Sequence, residues 1–167
     1  MVVPAEPVIV LRPATWAEDC AALQSVRRSV FIEEQGIPES DEWDDIDPLA
    51  RHVLALAENR DAVGTGRLEP TGKIGRVAVL PQYRGTGVGS LIMGHLVNHA
   101  TELGFTRVYL HAQTAAEGFY TRLGFRAEGP VFDECGIPHV RMTLGITAQD
   151  GIEAGRHGHE EHPLDAR

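Results

Sequence analysis

The chain has 167 residues, of which 43% are hydrophobic, and a formal net charge of −9. That length supports one domain, whose core buries roughly two thirds of the surface of the unfolded chain. The acidic balance argues against a nucleic-acid partner, because binding to a phosphate backbone depends on Lys and Arg. No apolar run reaches the roughly 20 residues of a membrane-spanning helix and no secretory signal pattern opens the chain, so a cytoplasmic protein without a membrane partner is expected.

Strands and helices alternate along the chain. Strands are predicted where β-branched and aromatic residues run between turn residues, and helices where apolar residues recur every three or four positions. The predicted strands cover residues 8–12, 52–57, 62–69, 74–80, 106–111, 125–127 and 140–144. Three helices are predicted: one at residues 16–35, one that begins in the glycine-rich stretch 84–89 and ends at residue 103, and one at residues 115–123. Residues 1–145 are therefore predicted to form one domain, and residues 146–167, which have few large apolar side chains, a polar tail.

Most of the excess negative charge lies in residues 33–47, which hold eight acidic residues and no basic one. These are Glu33, Glu34, Glu39, Asp41, Glu42, Asp44, Asp45 and Asp47. Unbalanced carboxylates at the mouth of a cleft attract cationic ligands, so one prediction is that this segment selects a cationic partner. The alternative is a solvated loop without a binding role.

A glycine-rich stretch at residues 74–91 joins an apolar strand to an amphipathic helix. Backbone N–H groups at a helix N-terminus bind phosphates, and glycines let the backbone approach them closely. The stretch is not a dinucleotide-binding GxGxxG motif, because Ser90 stands where the third glycine is required. It is not a P-loop either, since the chain's one lysine, Lys73, precedes the strand. The alternative without a ligand is a tight strand-to-helix turn.

Two motifs together resemble the GNAT superfamily of N-acetyltransferases, over nearly the whole span from residue 8 to residue 144. The first is Q-x-x-G-x-G, formed by Gln82, Gly85 and Gly87, and the second is FYTRLGF at residues 119–125. Other stretches are similar to a bacterial ElaA-type subgroup of that superfamily. They are R-x-x-V-F-x-x-E-Q (Arg27, Phe31, Glu34 and Gln35), then Asp45, Asp47 and His52, and GIPH at residues 136–139.

The resemblance implies an α/β (α+β) fold with a mixed, mostly antiparallel sheet of six to seven strands. This sheet is splayed between two parallel central strands, here residues 74–80 and 106–111, and flanked by helices. The resemblance also makes residues 1–145 an acyl-CoA N-acyltransferase domain with acetyl-CoA as co-substrate. The pantetheine arm is expected in the gap between the two strands, paired with the backbone at Val77, Ala78 and Val79.

The pyrophosphate of CoA is expected on the glycine-rich loop, with Gln82 in the motif before it. The loop residues implied are Arg84, Gly85, Thr86, Gly87, Val88, Gly89 and Ser90. Phe119, in the helix that carries the FYTRLGF motif, is implied to border the cofactor site. Its side chain is also expected to pack in the core. No metal is predicted, because His95 and His99 lack the intervening Glu of a zinc-binding HExxH helix.

The implied reaction transfers an acetyl (acyl) group from acetyl-CoA to a primary amine of a small molecule or peptide, by direct attack in a ternary complex. Tyr120 occupies the position of the family's general acid and would protonate the departing thiolate. The general base is open, because Arg76 interrupts the central strand where many members carry an acid. Glu34 is the first candidate and His111 the second, with His52 and His139 after them.

Two other functions stay open from the sequence alone. One is a regulatory domain that binds CoA or acyl-CoA without turnover, since a fold does not fix a function. The other is a protein-binding module whose acidic segment recruits a basic peptide. The identity of the amine and the acyl chain cannot be read from the sequence, and a homodimer is compatible with it.

Overall fold

The computed structural model of the protein describes residue 3 and residues 5–147. Within these residues the strands are β1 (Val10–Ala14), β2 (Arg51–Leu56), β3 (Ala62–Leu68), β4 (Ile74–Val79), β5 (Arg107–Gln113), β6 (Arg126–Glu134) and β7 (Ile137–Gly145). The α-helices are α1 (Trp16–Arg27), α2 (Glu39–Glu42), α3 (Val88–Glu102) and α4 (Glu117–Arg122). A π-helical segment at Arg28–Glu34 continues α1, and short 3₁₀ turns at Pro81–Tyr83 and Thr114–Ala116 precede α3 and α4.

The strands form two antiparallel sheets that meet at one point. One sheet has the order β1-β2-β3-β4 and the other the order β5-β7-β6. Between β4 and β5 the described residues form one parallel bridge, Lys73 with Tyr109, in which the N–H of Tyr109 donates to the carbonyl of Gly72 at 3.2 Å. Beyond this bridge the two strands separate. The predicted mixed, mostly antiparallel and splayed sheet is confirmed.

A bulge in β4 lies beside the separation. Thr65 pairs with Ala78 and Arg67 with Gly75, so the residue between them on β3 faces two residues on β4. One of these two is Arg76, whose φ of 51° is in the left-handed region that a residue with a Cβ seldom adopts. The extra residue breaks the alternation of side chains, and Arg76 reaches the open side of the sheet.

Helix α3 covers one face of the four-stranded sheet at short range. A Cβ added at Gly64 would lie 2.8 Å from Cδ1 of Ile92, and one added at Gly66 would lie 2.9 Å from Cδ1 of Leu96. Two glycines in β3 therefore let the helix approach. The resulting contact buries Ile92, Met93, Leu96 and Ala100 almost completely and fixes the start of α3 next to the end of β4.

Arginines from α1 and β3 attach the acidic segment to the fold. Arg27 is 1% exposed and donates to Glu42 at 2.8 Å and to Asp47 at 2.7 Å. Arg67 donates to both Asp47 and Asp44 at 2.8 Å. Burial acts to raise the pKa of Asp44, but the hydrogen bonds from Arg67 and the positive charges of Arg67 and Arg76 together outweigh it and lower the pKa to about 2. These ion pairs hold the segment against the sheet.

Ion pairs balance much of the charge of residues 33–47, whereas Glu33, Asp41 and Asp45 are exposed, as a solvated loop would have them. Selection of a cationic partner by this segment stays a prediction. Five of the eight carboxylates form ion pairs with arginines from other parts of the chain, and Glu42 and Asp47 are almost completely buried. The five are Glu34, Glu39, Glu42, Asp44 and Asp47. Charge counted along the sequence could not show these partners, because most of them lie far away in the chain.

The predicted tail lies outside the described residues from residue 148 onward. Ile146 is 2% exposed and its N–H donates to the carbonyl of Thr106 at 2.9 Å, so the packed part of the domain extends past residue 145. None of the helices in the described part of the chain has the length and apolar character needed to cross a membrane.

Replacing Arg27 by Ala should lower the free energy of unfolding by about 3–5 kcal/mol, because Glu42 and Asp47 would be left as buried carboxylates with a lost partner. Arg28→Ala is the matched control, since its ion pair with Glu39 joins side chains that are 42% and 55% exposed and should contribute little. Urea unfolding measures both variants. Equal losses would show that the buried network does not stabilise the fold as described.

Candidate active site

A cleft of about 390 Å³ opens where β4 and β5 separate. Its walls are formed by β4 around Ile74–Val77, by β5 around Leu110–Gln113, by Phe31 of the π-helical segment and by the hairpin between β6 and β7. Tyr120 and part of the acidic segment complete the lining. The cleft therefore joins elements from both sheets.

The charged lining of the cleft is negative on balance. It comprises three cationic side chains, Arg67, Lys73 and Arg76, and five carboxylates, Asp41, Glu42, Asp44, Glu69 and Glu134. The arginines are engaged by these carboxylates, as in the contact of Arg76 with Asp44 at 3.3 Å. A small negative excess remains, which is weaker than the field predicted from the sequence.

Helix α4 brings Tyr120 to the cleft. Tyr120 is 5% exposed, and its ring lies edge-on to those of Phe119 and Phe125, with centroid distances of 5.0 and 6.0 Å. Burial raises the pKa of Tyr120, so the phenol is protonated at neutral pH and can act as a proton donor. Phe119 lies in the core as predicted and supports the Tyr120 ring.

The register of the three-stranded sheet places His111, Glu134 and His139 on one face. Gln113 lies opposite His139 across the β5–β7 ladder, so His111, two residues earlier, shares that face. Phe132 lies opposite His139 on β6, and Glu134 is two residues further along the same strand. Nδ1 of His111 is 3.1 Å from one Glu134 oxygen, and Nε2 of His139 is 3.5 Å from the other.

Glu134 is a functional candidate that the sequence analysis missed. Strand β6 was predicted only at residues 125–127, because Gly129 and Pro130 interrupt its alternation and produce a shift in register. The signal that could have found Glu134 is the pair Cys135 and Gly136, whose positive φ values of 54° and 76° form a two-residue hairpin turn. Such a turn sets Glu134 opposite Ile137.

Glu34 lies at the end of the π-helical segment, away from the residues that line the cleft. Its two oxygens accept hydrogen bonds from Nη1 and Nη2 of Arg84 at 2.7 and 2.6 Å. A guanidinium that donates to both oxygens of a carboxylate stabilises its charged form, so the carboxylate accepts a proton poorly. This geometry places Glu34 beside the glycine-rich loop and favours His111 over Glu34 as a base.

His52 is also outside the cleft. Its Nε2 lies 2.9 Å from the carbonyl of Asp47, and burial lowers its pKa. The ring therefore supports the loop that carries Asp47, in keeping with a structural role. Within the described residues no group of three or more His, Cys, Asp or Glu side chains is arranged to hold a metal ion.

The glycine-rich loop has the shape of an anion cradle. Gly85 and Gly87 have φ values of 75° and 86°, and a Cβ built on either would meet no atom within 4 Å. Gly87 is the N-cap of α3 and has no side chain that could accept from the first N–H groups of the helix. Thr86 donates to the carbonyl of Tyr83 at 2.6 Å and so fixes the turn. The open space around Gly85 and Gly87 therefore lies next to the first backbone N–H groups of α3.

The edge of β4 that faces the gap is available for pairing. Val77, Ala78 and Val79 are buried in the sheet, and β4 pairs with β3 on one side. On the other side, no strand in residues 5–147 pairs with β4 beyond the bridge at Lys73. An extended ligand could pair with this edge through its own amides.

Comparisons with known proteins agree with these features. A family model described as an acetyltransferase (GNAT) domain matches residues 38–146. Protein YyaT of Bacillus subtilis (strain 168) is 41% identical over 143 residues, which are 82% of this chain and 96% of YyaT. Protein ElaA of Escherichia coli (strain K12) is 36% identical over 134 residues, which are 75% of this chain and 86% of ElaA.

Solved structures share the fold over most of the chain. The crystal structure of Escherichia coli ElaA matches with a TM-score of 0.72 over 80% of this chain and 98% of that chain. An acyl-CoA N-acyltransferase from Pseudomonas aeruginosa matches with a TM-score of 0.72 and 30% identity, over 81% of this chain and 99% of that chain. The splayed sheet, the glycine-rich loop and the aromatic helix therefore belong to a fold with known members.

Proposed function

The chain belongs to the GNAT acetyltransferase family, and from this premise we propose that it transfers an acetyl group from acetyl-CoA to a primary amine of a small molecule or peptide. The observation that carries the proposal is the cleft between β4 and β5. The cleft brings together the phenol of Tyr120, the imidazole of His111 and the edge of β4 that has no strand partner within the described residues, next to the glycine-rich loop. Each of these has a distinct task in acyl transfer to an amine.

The residues around the glycine-rich loop fit the pyrophosphate of CoA. The first backbone N–H groups of α3 follow Gly87, where an added Cβ would meet no atom within 4 Å, and the helix dipole there favours negative charge. Arg84 supplies a positive charge next to this space. The backbone of Val77 and Val79 would pair with the pantetheine amides and direct the acetyl group into the cleft.

His111 and Tyr120 each carry out one of the two proton transfers of the reaction. The attacking amine forms a bond to the acetyl carbon and gives a proton to His111, while the C–S bond breaks and Tyr120 protonates the sulfur. A backbone N–H near Val79 is the proposed donor to the carbonyl oxygen, on which negative charge develops. The tyrosinate and imidazolium then exchange their protons with solvent, so both groups return to their starting state.

A turnover assay separates this proposal from a regulatory CoA-binding domain. Acetyl-CoA consumption and amide formation would be followed across polyamines, amino sugars, amino acids, aminoglycosides and peptide N-termini. An acetyltransferase acetylates at least one class faster than the uncatalysed rate. Tight CoA binding by calorimetry together with no acetylated product would support the regulatory function instead.

The cofactor site predicts the effect of Gly87→Val. The new side chain would fill the space in front of the loop, and CoA affinity should fall about tenfold or more, the equivalent of losing one or two hydrogen bonds to a charged group. Gly104→Val is the matched control, because Gly104 ends the same helix with a φ of 87° and is equally open around its Cα. Calorimetry should show parental CoA affinity for this control. A folded Gly87→Val variant with parental affinity would rule out the loop as the site.

The assignment of Tyr120 predicts that Tyr120→Phe lowers kcat by about a hundredfold or more while CoA affinity and folding persist, because the ring is kept and the proton is lost. Tyr120→Ala should in addition lower the free energy of unfolding by about 3–5 kcal/mol through the cavity it creates. Steady-state kinetics and urea unfolding give both quantities. A Phe variant with parental kcat, measured where chemistry limits the rate, would remove Tyr120 from the mechanism.

The charge of the cleft supports a cationic acceptor, and Asp41 offers a test that spares the ion network. Asp41 is exposed and lines the cleft, and the hydrogen bond from Arg76 goes to its backbone carbonyl. Asp41→Asn should therefore raise the KM for a diamine about threefold at low salt, and less at high salt. Asp45→Asn is the control, since Asp45 is exposed in the same segment but outside the cleft. Equal effects of both variants, or none, would argue against selection by the cleft.

A further inference from the structure

The hydrogen-bond partners of His139 determine where its protons are. Nδ1 of His139 lies 2.7 Å from the carbonyl oxygen of Ile137. A carbonyl can only accept, so Nδ1 carries a hydrogen. Nε2 of His139 then faces the second oxygen of the Glu134 carboxylate, 3.5 Å away.

The same carboxylate selects one tautomer of His111. Burial acts to raise the pKa of Glu134, but the hydrogen bond with His111 and the charges of His139 and Lys73 lower it overall, so the group is ionised at neutral pH. An ionised carboxylate only accepts. Nδ1 of His111, 3.1 Å from Glu134, therefore carries the hydrogen and Nε2 keeps the lone pair that can take a proton.

Packing fixes the orientation of both rings. Phe132 lies edge-on to His111, with centroids 5.0 Å apart and planes at 80°, and stacks on His139 with centroids 6.0 Å apart and planes at 25°. His139 is 7% exposed. Rotation of either ring would therefore displace an aromatic neighbour as well as break a hydrogen bond.

Other charged groups border this cluster from each neighbouring element. They are Lys73 at the start of β4, Tyr109 on β5, Arg141 opposite His111 on β7, Cys135 in the hairpin turn, and Asp41, Glu42 and Arg76, which interact electrostatically with Cys135. Glu134 differs from these groups in that its two oxygens contact both imidazoles, at 3.1 Å from His111 and 3.5 Å from His139.

We propose that Glu134 is a positioning residue for the proposed acetyl transfer, which holds His111 in the tautomer that accepts the amine proton at Nε2, and that His139, stacked on Phe132, borders the other oxygen of Glu134. The inference rests on the proposed function. In the reaction the N–C bond forms, the amine proton moves to Nε2 of His111, and the sulfur leaves with the proton of Tyr120. Glu134 and His139 exchange no proton with the substrates; they set the tautomer and the orientation of His111.

This arrangement predicts different effects of two variants on kcat/KM. Glu134→Gln replaces the carboxylate by an amide that can donate to Nδ1 of His111 as well as accept from it, so the tautomer is no longer selected and kcat/KM at its plateau should fall about tenfold or more. His139→Asn keeps a donor for the carbonyl of Ile137 and leaves the contact of Glu134 with His111, so its kcat/KM should fall less. CoA affinity, measured by calorimetry, should stay parental in both.

Histidine NMR tests the same inference without turnover. In the ¹⁵N spectrum of the full chain, with signals assigned through the His111→Gln and His139→Asn variants, the neutral ring of His111 should carry its hydrogen at Nδ1. Glu134→Gln should abolish this preference. If no amine is acetylated yet the Nδ1 signature is seen, the proposed function fails while the arrangement stands. A neutral His111 ring with its hydrogen at Nε2, or parental kcat/KM in a folded Glu134→Gln variant, would overturn the inference.

Discussion

The separation of β4 from β5 is the constraint on which the candidate site depends. Within the described residues, two parallel strands that share one bridge, Lys73 with Tyr109, leave β4 without a strand partner along the gap. The same separation opens the cleft that Tyr120 and His111 line. If β4 and β5 paired along their length, the strand edge would be consumed by the sheet and no ligand could lie between them. The geometry of the candidate site is therefore a consequence of incomplete pairing between β4 and β5.

The buried ion network keeps this opening in a defined shape. Breaking a buried ion pair is costly, but its presence is weak evidence for net stability, so the more certain consequence of Arg27 and Arg67 is positional. They hold Asp44 and Asp47 against the sheet, which places the acidic segment along one wall of the cleft. On the other side, the side-chain amide of Gln113 donates to Gln35 at 2.8 Å and connects the end of β5 to the end of the π-helical segment.

Local patterns in the sequence were sufficient for much of the fold and for part of the site. Apolar periodicity located α1 and α3, and the glycine spacing located the loop before α3, because these signals lie within one element. The role of Tyr120 came from a motif and is supported by its burial. The π-helical segment was not predictable from a period of 3.6 residues, and β6 was hidden by Gly129 and Pro130.

Contacts between distant residues account for what the sequence could not show. The acidic segment was expected to carry unbalanced charge, yet its partners Arg67 and Arg76 come from β3 and β4. Glu134 became visible only when strand register brought it to His111 and His139. Both the ion pairs of the acidic segment and the contacts of Glu134 depend on distances between side chains of different elements. The sequence shows the composition of each element but not these distances.

Arg84 shows how such a distant contact changes the role of a residue. Its guanidinium has five N–H groups, of which three are used: Nε donates to the carbonyl of Val79 at 2.9 Å, and Nη1 and Nη2 donate to Glu34. The other two lie on opposite edges of the guanidinium, so one of them can reach an anion on the glycine-rich loop without any of these bonds being broken. Glu34, considered as a base from the sequence, thus orients the cation beside this loop. Because Glu34 ends the segment that carries Phe31 into the cleft wall, the position of the glycine-rich loop and the shape of the cleft are linked through one ion pair.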